Sequence, residues 1–186
     1  MTKPIPSNPD IHQDEAALVS AAQRDPAEFT ALYDRYFRPI YRYLYSRVGS
    51  VPEAEDLTAQ TFLAALEALP HYHQRGYFSA WLFTIARNKA RDYYRSRTPD
   101  ASLEVNHPDK AEDPLVQVIR SDQIEQLGEI VSRLDEEEQE LIRLRCVADL
   151  SFAEIGVSLG RKEDTVKKAY YRLTARLQRQ LEASHD

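Results

Sequence analysis

The chain has 186 residues, 42% hydrophobic and 29% charged, with 24 Lys and Arg against 30 Asp and Glu for a net charge of −6. That apolar fraction suffices for compact cores and argues against wholesale disorder. No apolar run approaches the ~20 residues needed to cross a bilayer. The opening MTKPIPSNPD lacks the apolar stretch of a secretory signal, and the lone Cys146 excludes an intramolecular disulfide framework. With five glycines and neither GxGxxG nor GxxxxGK[ST], sheet-rich and phosphate-loop architectures are disfavoured. A soluble, helical, cytoplasmic protein without a cofactor is expected.

The charge is unevenly placed. Residues 25–97 carry 10 basic and 8 acidic side chains, residues 98–140 carry 3 and 13, and residues 141–186 carry 9 and 6. Two basic segments thus flank an acidic one. Residues 75–97 hold six Arg and Lys against Asp92, and 161–179 hold seven against Glu163 and Asp164. Such stripes are commonly solvated helix faces; two of them, one ending each half, suit an extended polyanion.

In chain order, residues 1–13 read as a disordered N-terminus and a helical pattern starts at Asp14. Asp25-Pro26 is an N-cap followed by proline at the first helical position. Phe29, Leu32, Tyr33, Tyr36, Phe37, Ile40, Tyr41 and Leu44 recur at threes and fours as one broad apolar face, with Pro39 expected to kink it. A third helix spans about Glu53 to Leu69, with Glu53, Glu55 and Asp56 at its dipole-favoured start. The loop HYHQRG leads to a fourth helix carrying Phe78, Trp81, Leu82, Ile85 and Ala86. Its His71-x-His73 lacks the further ligands a zinc site needs, so no metal is expected.

Residues 98–120, with three prolines and five acids, read as an acidic linker. Its first part, 98–114, has a net charge of −4 and suggests a tether that folds back on the basic helices. Helical spacing resumes at Ile124, Leu127, Ile130, Val131 and Leu134. Asp135 with Glu138, then Ser151 with Glu154, mark two capping-box-like helix starts. After Gly160 a last helix runs from about Glu163 to Leu181, and no further C-terminal domain is expected.

The short helix SFAEIGVSL, the Gly160 turn and the long basic helix have the proportions of a helix-turn-helix. Ile155 and Leu159 would pack under Val166, Tyr170, Leu173 and Leu177. Arg161, Lys162, Glu163, Thr165, Lys167, Lys168, Tyr171 and Arg172 would then face outward or lie near the helix start. These are side chains that read base edges and neutralise phosphate in a major groove.

At this point the sequence resembles the extracytoplasmic-function (ECF) group of bacterial RNA polymerase sigma factors. DPAEFTALYDRYFRPIYRYL, AEDLTAQTFLAAL and FSAWLFTIARNKARDYYRSR are similar, in order, to that family's region 2. LDEEEQELIRLRCVADLSFAEIGVSLGRKEDTVKKAYYRLTARL is similar to its region 4. The resemblance implies an all-α fold of two small helical domains, region 2 over 14–97 and region 4 over 121–186. It implies binding to core RNA polymerase, recognition and melting of promoter DNA, initiation at a specific regulon, no enzymatic activity of its own, and often control by an anti-sigma protein.

Residue by residue, the resemblance implies that Asp56, Leu57, Gln60, Thr61 and Phe62 dock on the polymerase clamp, although Leu57 and Phe62 also suit a plain core. The family often has Gln-Glu where this chain has Ala59-Gln60. The loop His71–Tyr77 and the helix after it match the −10 reader. There Tyr72, Arg75, Tyr77, Trp81, Arg87, Asn88 and Arg91 offer the aromatic platforms and cations that hold single strands; Trp81 suits the core as well. Arg161 through Arg172 match the −35 reader, with Lys162 where many relatives have a Ser N-cap. A stand-alone repressor would not need the aromatic, basic helix 77–97. A carboxylate-metal enzyme would need Glu-x-x-His pairs that the chain lacks.

Overall fold

The computed structural model describes residues 9–73, 77–97 and 131–183. The linker 98–120, the tether within it, the spacing at Ile124, Leu127 and Ile130, and Arg75 lie outside the described residues. No strand occurs among the described residues.

The first helix, α1 (Pro9–Arg24), starts before Asp14. Its leading proline occupies a first-turn position, where a missing N–H costs no intrahelical bond. The buried Glu15 accepts a hydrogen bond from the Tyr36 hydroxyl and another from the backbone N–H of Phe78 at 3.3 Å, tying three segments together. Gln23 Nε2 donates to the carbonyls of Leu69 (3.0 Å) and Tyr72 (2.7 Å), fixing the loop that precedes the fourth helix.

Asp25 caps a short 3₁₀ turn, accepting from Ala27 N at 2.9 Å, and leads into α2 (Phe29–Val48). This helix runs unbroken through Pro39, where the sequence suggests a kink. Buried residues on both sides of the proline, Leu32 and Tyr36 before it and Ile40 and Leu44 after it, anchor both halves to the core. The broad apolar face divides: Leu32, Tyr36, Ile40 and Leu44 go inward with Tyr43, whereas Tyr33 and Phe37 stay exposed. The run of apolar residues is wider than the stripe its neighbours can cover. Gly49, at φ 67°, ends α2 in the left-handed conformation that glycine adopts without a Cβ penalty.

Next come α3 (Val51–Ala68), the 3₁₀ turn Leu69–His71 and α4 (Phe78–Arg97). The second half comprises α5 (Glu136–Ile142), continued by a π-helical turn (Arg143–Val147), then α6 (Phe152–Leu159) and α7 (Glu163–Ala183). Asp135 caps α5 by accepting from Glu138 N at 2.8 Å. Ser151 and Glu154 complete a reciprocal capping box at α6.

The two halves do not stand apart. Leu141, Leu144, Ile155 and Val166 join Phe83, Ala86 and Ala90 in one continuous apolar core, and α4 packs on α6.

Candidate nucleic-acid interface

The helix-turn-helix geometry rests on two glycines. Gly160 closes α6 at φ 65°. Gly156 lies where a Cβ would stand 2.8 Å from the backbone oxygen of Arg161, so only glycine lets the turn pass this close. Arg161 N donates to Gly156 O at 2.8 Å, locking the turn. Ile155 of α6 and Val166, Leu173 and Leu177 of α7 are buried, with Leu159 and Tyr170 half-buried.

All eight residues expected in the −35 set are exposed. They fall into two groups. Thr165, Lys167, Lys168, Tyr171 and Arg172 line one shallow surface, and Asp164, which the sequence reading passed over, shares it. The three- and four-residue spacing from Asp164 to Lys167 and Lys168 is the signal that marks it. Arg161, Lys162 and Glu163 instead face Tyr77 across a separate groove. Arg161 is paired with Glu137 at 2.5 Å, and the hydrogen bond it donates to that carboxylate pushes its pKa up.

In the −10 set, Tyr72, Phe78 and Trp81 form one aromatic cluster, with Tyr72–Trp81 centroids 4.7 Å apart and Phe78–Trp81 centroids 5.2 Å apart. Tyr72, Tyr77 and Trp81 are half-buried, so each keeps part of a ring accessible. Burial, together with the Glu15 charge, pushes the Tyr72 hydroxyl pKa up, which favours its neutral form. Asn88 and Arg91 are exposed, but Arg87 is half-buried and donates to the carbonyl of Ser158 at 2.8 Å.

The set expected to meet polymerase also divides. Asp56 and Gln60 are exposed and joined by a 2.7 Å hydrogen bond. Leu57, Thr61 and Phe62 are buried. The Thr61 hydroxyl donates to Leu57 O at 2.7 Å, and Phe62 packs against Tyr33 with tilted rings 4.7 Å apart. These three shape the helix from inside and present no side chain to a partner in this conformation. Sequence reasoning missed Leu63 and Leu66, which are 58% and 37% exposed on α3. It also missed that Tyr33, Phe37, Tyr41 and Tyr45 form a ladder along α2 with successive centroids 5.3, 6.2 and 6.1 Å apart.

Comparison with known proteins accounts for both halves. The Sigma-70 region 2 model matches residues 32–99, and a Sigma-70, region 4 model matches residues 124–177. The chain is 38% identical to the ECF RNA polymerase sigma factor BldN of Streptomyces coelicolor over 88% of its own length, and it spans 64% of BldN. It is 31% identical to the ECF RNA polymerase sigma factor SigD of Mycobacterium tuberculosis, covering 80% of this chain and 75% of SigD. Among solved structures, CnrH in complex with the cytosolic domain of CnrY aligns with a TM-score of 0.67 at 27% identity, covering 90% of this chain and 96% of that one. A helix-turn-helix half, a helical half with an aromatic-basic α4, and these matches over both halves lead to one conclusion: the chain belongs to the ECF sigma factors of bacterial RNA polymerase.

Proposed function

We propose that this protein binds core RNA polymerase, recognises −35 and −10 promoter elements, assists melting at the latter and thereby directs initiation at a specific set of promoters. The carrying observation is the outer face of α7, where Thr165, Lys167, Lys168, Tyr171 and Arg172 stand exposed on a helix fixed by the Gly156–Arg161 turn. Cations and short polar groups on a rigid helix are the means of reading a major groove. The half-exposed rings of Tyr72, Tyr77 and Trp81, beside Asn88 and Arg91, offer stacking platforms and charge for an unpaired strand.

Polymerase docking is assigned to the exposed face of α3, through Asp56, Gln60, Leu63 and Leu66. The aromatic ladder of α2 would widen the apolar part of that surface. Chemistry resides in the polymerase, and this chain supplies binding and specificity. Because CnrH is seen with the cytosolic domain of CnrY, an anti-sigma protein is the regulator proposed here.

The test is transcription in vitro with core polymerase on a library of genomic fragments, mapping start sites with and without the protein. Starts that require the protein and share paired upstream motifs are expected. Start sites identical to those of core polymerase alone would refute the reading.

A further inference from the structure

One helix, α1, holds both ends of the segment that carries the −10 aromatics. At the near end, Gln23 Nε2 donates to the carbonyls of Leu69 at 3.0 Å and Tyr72 at 2.7 Å. A primary amide has two N–H groups, and these two carbonyls take both. A peptide unit is planar, so holding the Tyr72 carbonyl restricts the backbone that sets the direction of its ring. The Tyr72 N–H donates to the same Leu69 carbonyl at 3.0 Å, which closes a tight turn.

At the far end, buried Glu15 accepts from Phe78 N at 3.3 Å with one carboxylate oxygen and from the Tyr36 hydroxyl with the other. Phe78 opens α4, and the first N–H groups of a helix have no partner within it. No acid stands in the first turn of α4 itself. The carboxylate that suits the positive end of its dipole therefore comes from α1. Glu15 and Gln23 are about 12 Å apart along the axis at ~1.5 Å per residue, with buried Val19 and Ala22 between them. A packed helix thus sets the spacing between the two ties.

We propose that α1 is the positioning element of the −10 reader, its Gln23 and Glu15 holding Tyr72 and Trp81 as a preformed stacking platform before a strand arrives. Tyr72 packs 4.7 Å from Trp81 and edge-on to Phe78 at 5.6 Å. A ring fixed through Gln23 therefore meets rings fixed through Glu15. A platform ordered in advance loses little further freedom when a base stacks on it. Neither α1 residue touches DNA in this scheme; each acts through a ring that it positions. The role in reading rests on the −10 assignment, whereas the positioning of Tyr72 does not.

The test uses the full chain, whose single tryptophan is Trp81, so its emission reports on the cluster directly. Gln23→Met keeps the length of the side chain and removes the donor. In the free variant, acrylamide quenching of Trp81 is expected to rise as Tyr72 is released. Helical signal and thermal midpoint should not change, because Gln23 is exposed. Bound to core polymerase, the variant should hold a forked promoter fragment with an unpaired −10 strand about tenfold more weakly, the scale of one stacked base. Its affinity for a −35 duplex should match wild type. In a Tyr72→Ala background, Gln23→Met should add no further loss, because it acts only through that ring. Unchanged quenching in Gln23→Met would overturn the positioning, and so would losses that add in the double variant. A weakened fork complex in Tyr72→Ala but not in Gln23→Met would sink the proposal alone. Wild-type fork affinity in Tyr72→Ala would instead remove the −10 assignment of this ring, and the proposal with it.

Discussion

Tyr43 and Glu140 are separated by 97 positions in the chain and meet in a 2.6 Å hydrogen bond between the two halves. The same device occurs within the first half, where buried Tyr36 donates to buried Glu15. In both pairs the tyrosine must keep its proton to donate. Burial, reinforced by the adjacent carboxylate, drives the pKa of each hydroxyl far above its ordinary value.

Alkaline sensitivity follows. An unfolded tyrosine ionises near pH ~10, whereas Tyr36 and Tyr43 resist ionisation in the folded chain. Above that pH the unfolded state binds fewer protons than the folded one, so the tyrosines' contribution is complete below about pH 10 and declines as pH rises beyond it. Urea-unfolding midpoints measured from pH 8 to 11.5 should fall at the alkaline end. Tyr43→Phe should flatten part of that decline, and an identical pH profile would contradict this origin.

The glycines of the helix-turn-helix separate two physical effects. Gly156→Ala puts a methyl group 2.8 Å from a backbone oxygen that cannot move freely, and should cost ~1–3 kcal/mol while disturbing the seat of α7. Gly160→Ala has open space around its Cβ but keeps φ at 65°, so it should cost ~1–2 kcal/mol of backbone strain with the helix still docked. Stability and promoter-binding assays on both variants should show that only Gly156→Ala loses binding disproportionately.

On α3, surface and core positions should behave differently. Asp56→Arg with Gln60→Arg, and separately Leu63→Asp, should weaken co-purification with core polymerase at unchanged thermal stability, because all three sites are exposed. Leu57→Ala, at a 3% exposed site, should lower stability by ~2–4 kcal/mol. Normal polymerase binding by the double arginine variant would remove this surface from the docking site.

Lys168→Ala and Arg172→Ala should both reduce use of a −35-dependent promoter. Loss of a base contact should cost ~1–3 kcal/mol and relax preference at one position. Loss of a phosphate contact should weaken all sequences alike and lower the salt slope by about one. Binding titrations over mutated promoters at several salt concentrations distinguish these outcomes. If neither variant changed promoter use, the outer face of α7 would not be the reader.

Sequence by itself determined the local structure and the family. Apolar spacing places the helices, because a 3.6-residue period is a property of neighbouring positions. Ser151 with Glu154 and the Gly160 turn announce α6 and its end, since caps are made within one turn of chain. The basic character of α4 and α7 is likewise visible as composition. Tertiary structure decided which side chains remain available. Leu57, Thr61 and Phe62 are buried while Leu63 and Leu66 are exposed, because the face α3 presents depends on how α2 and α4 pack against it. Glu140, in sequence one acid among the thirteen of residues 98–140, is buried against Tyr43 and Arg47. Charge runs carry no record of which member meets a guanidinium some ninety positions away, and only the packing of the two halves makes that choice.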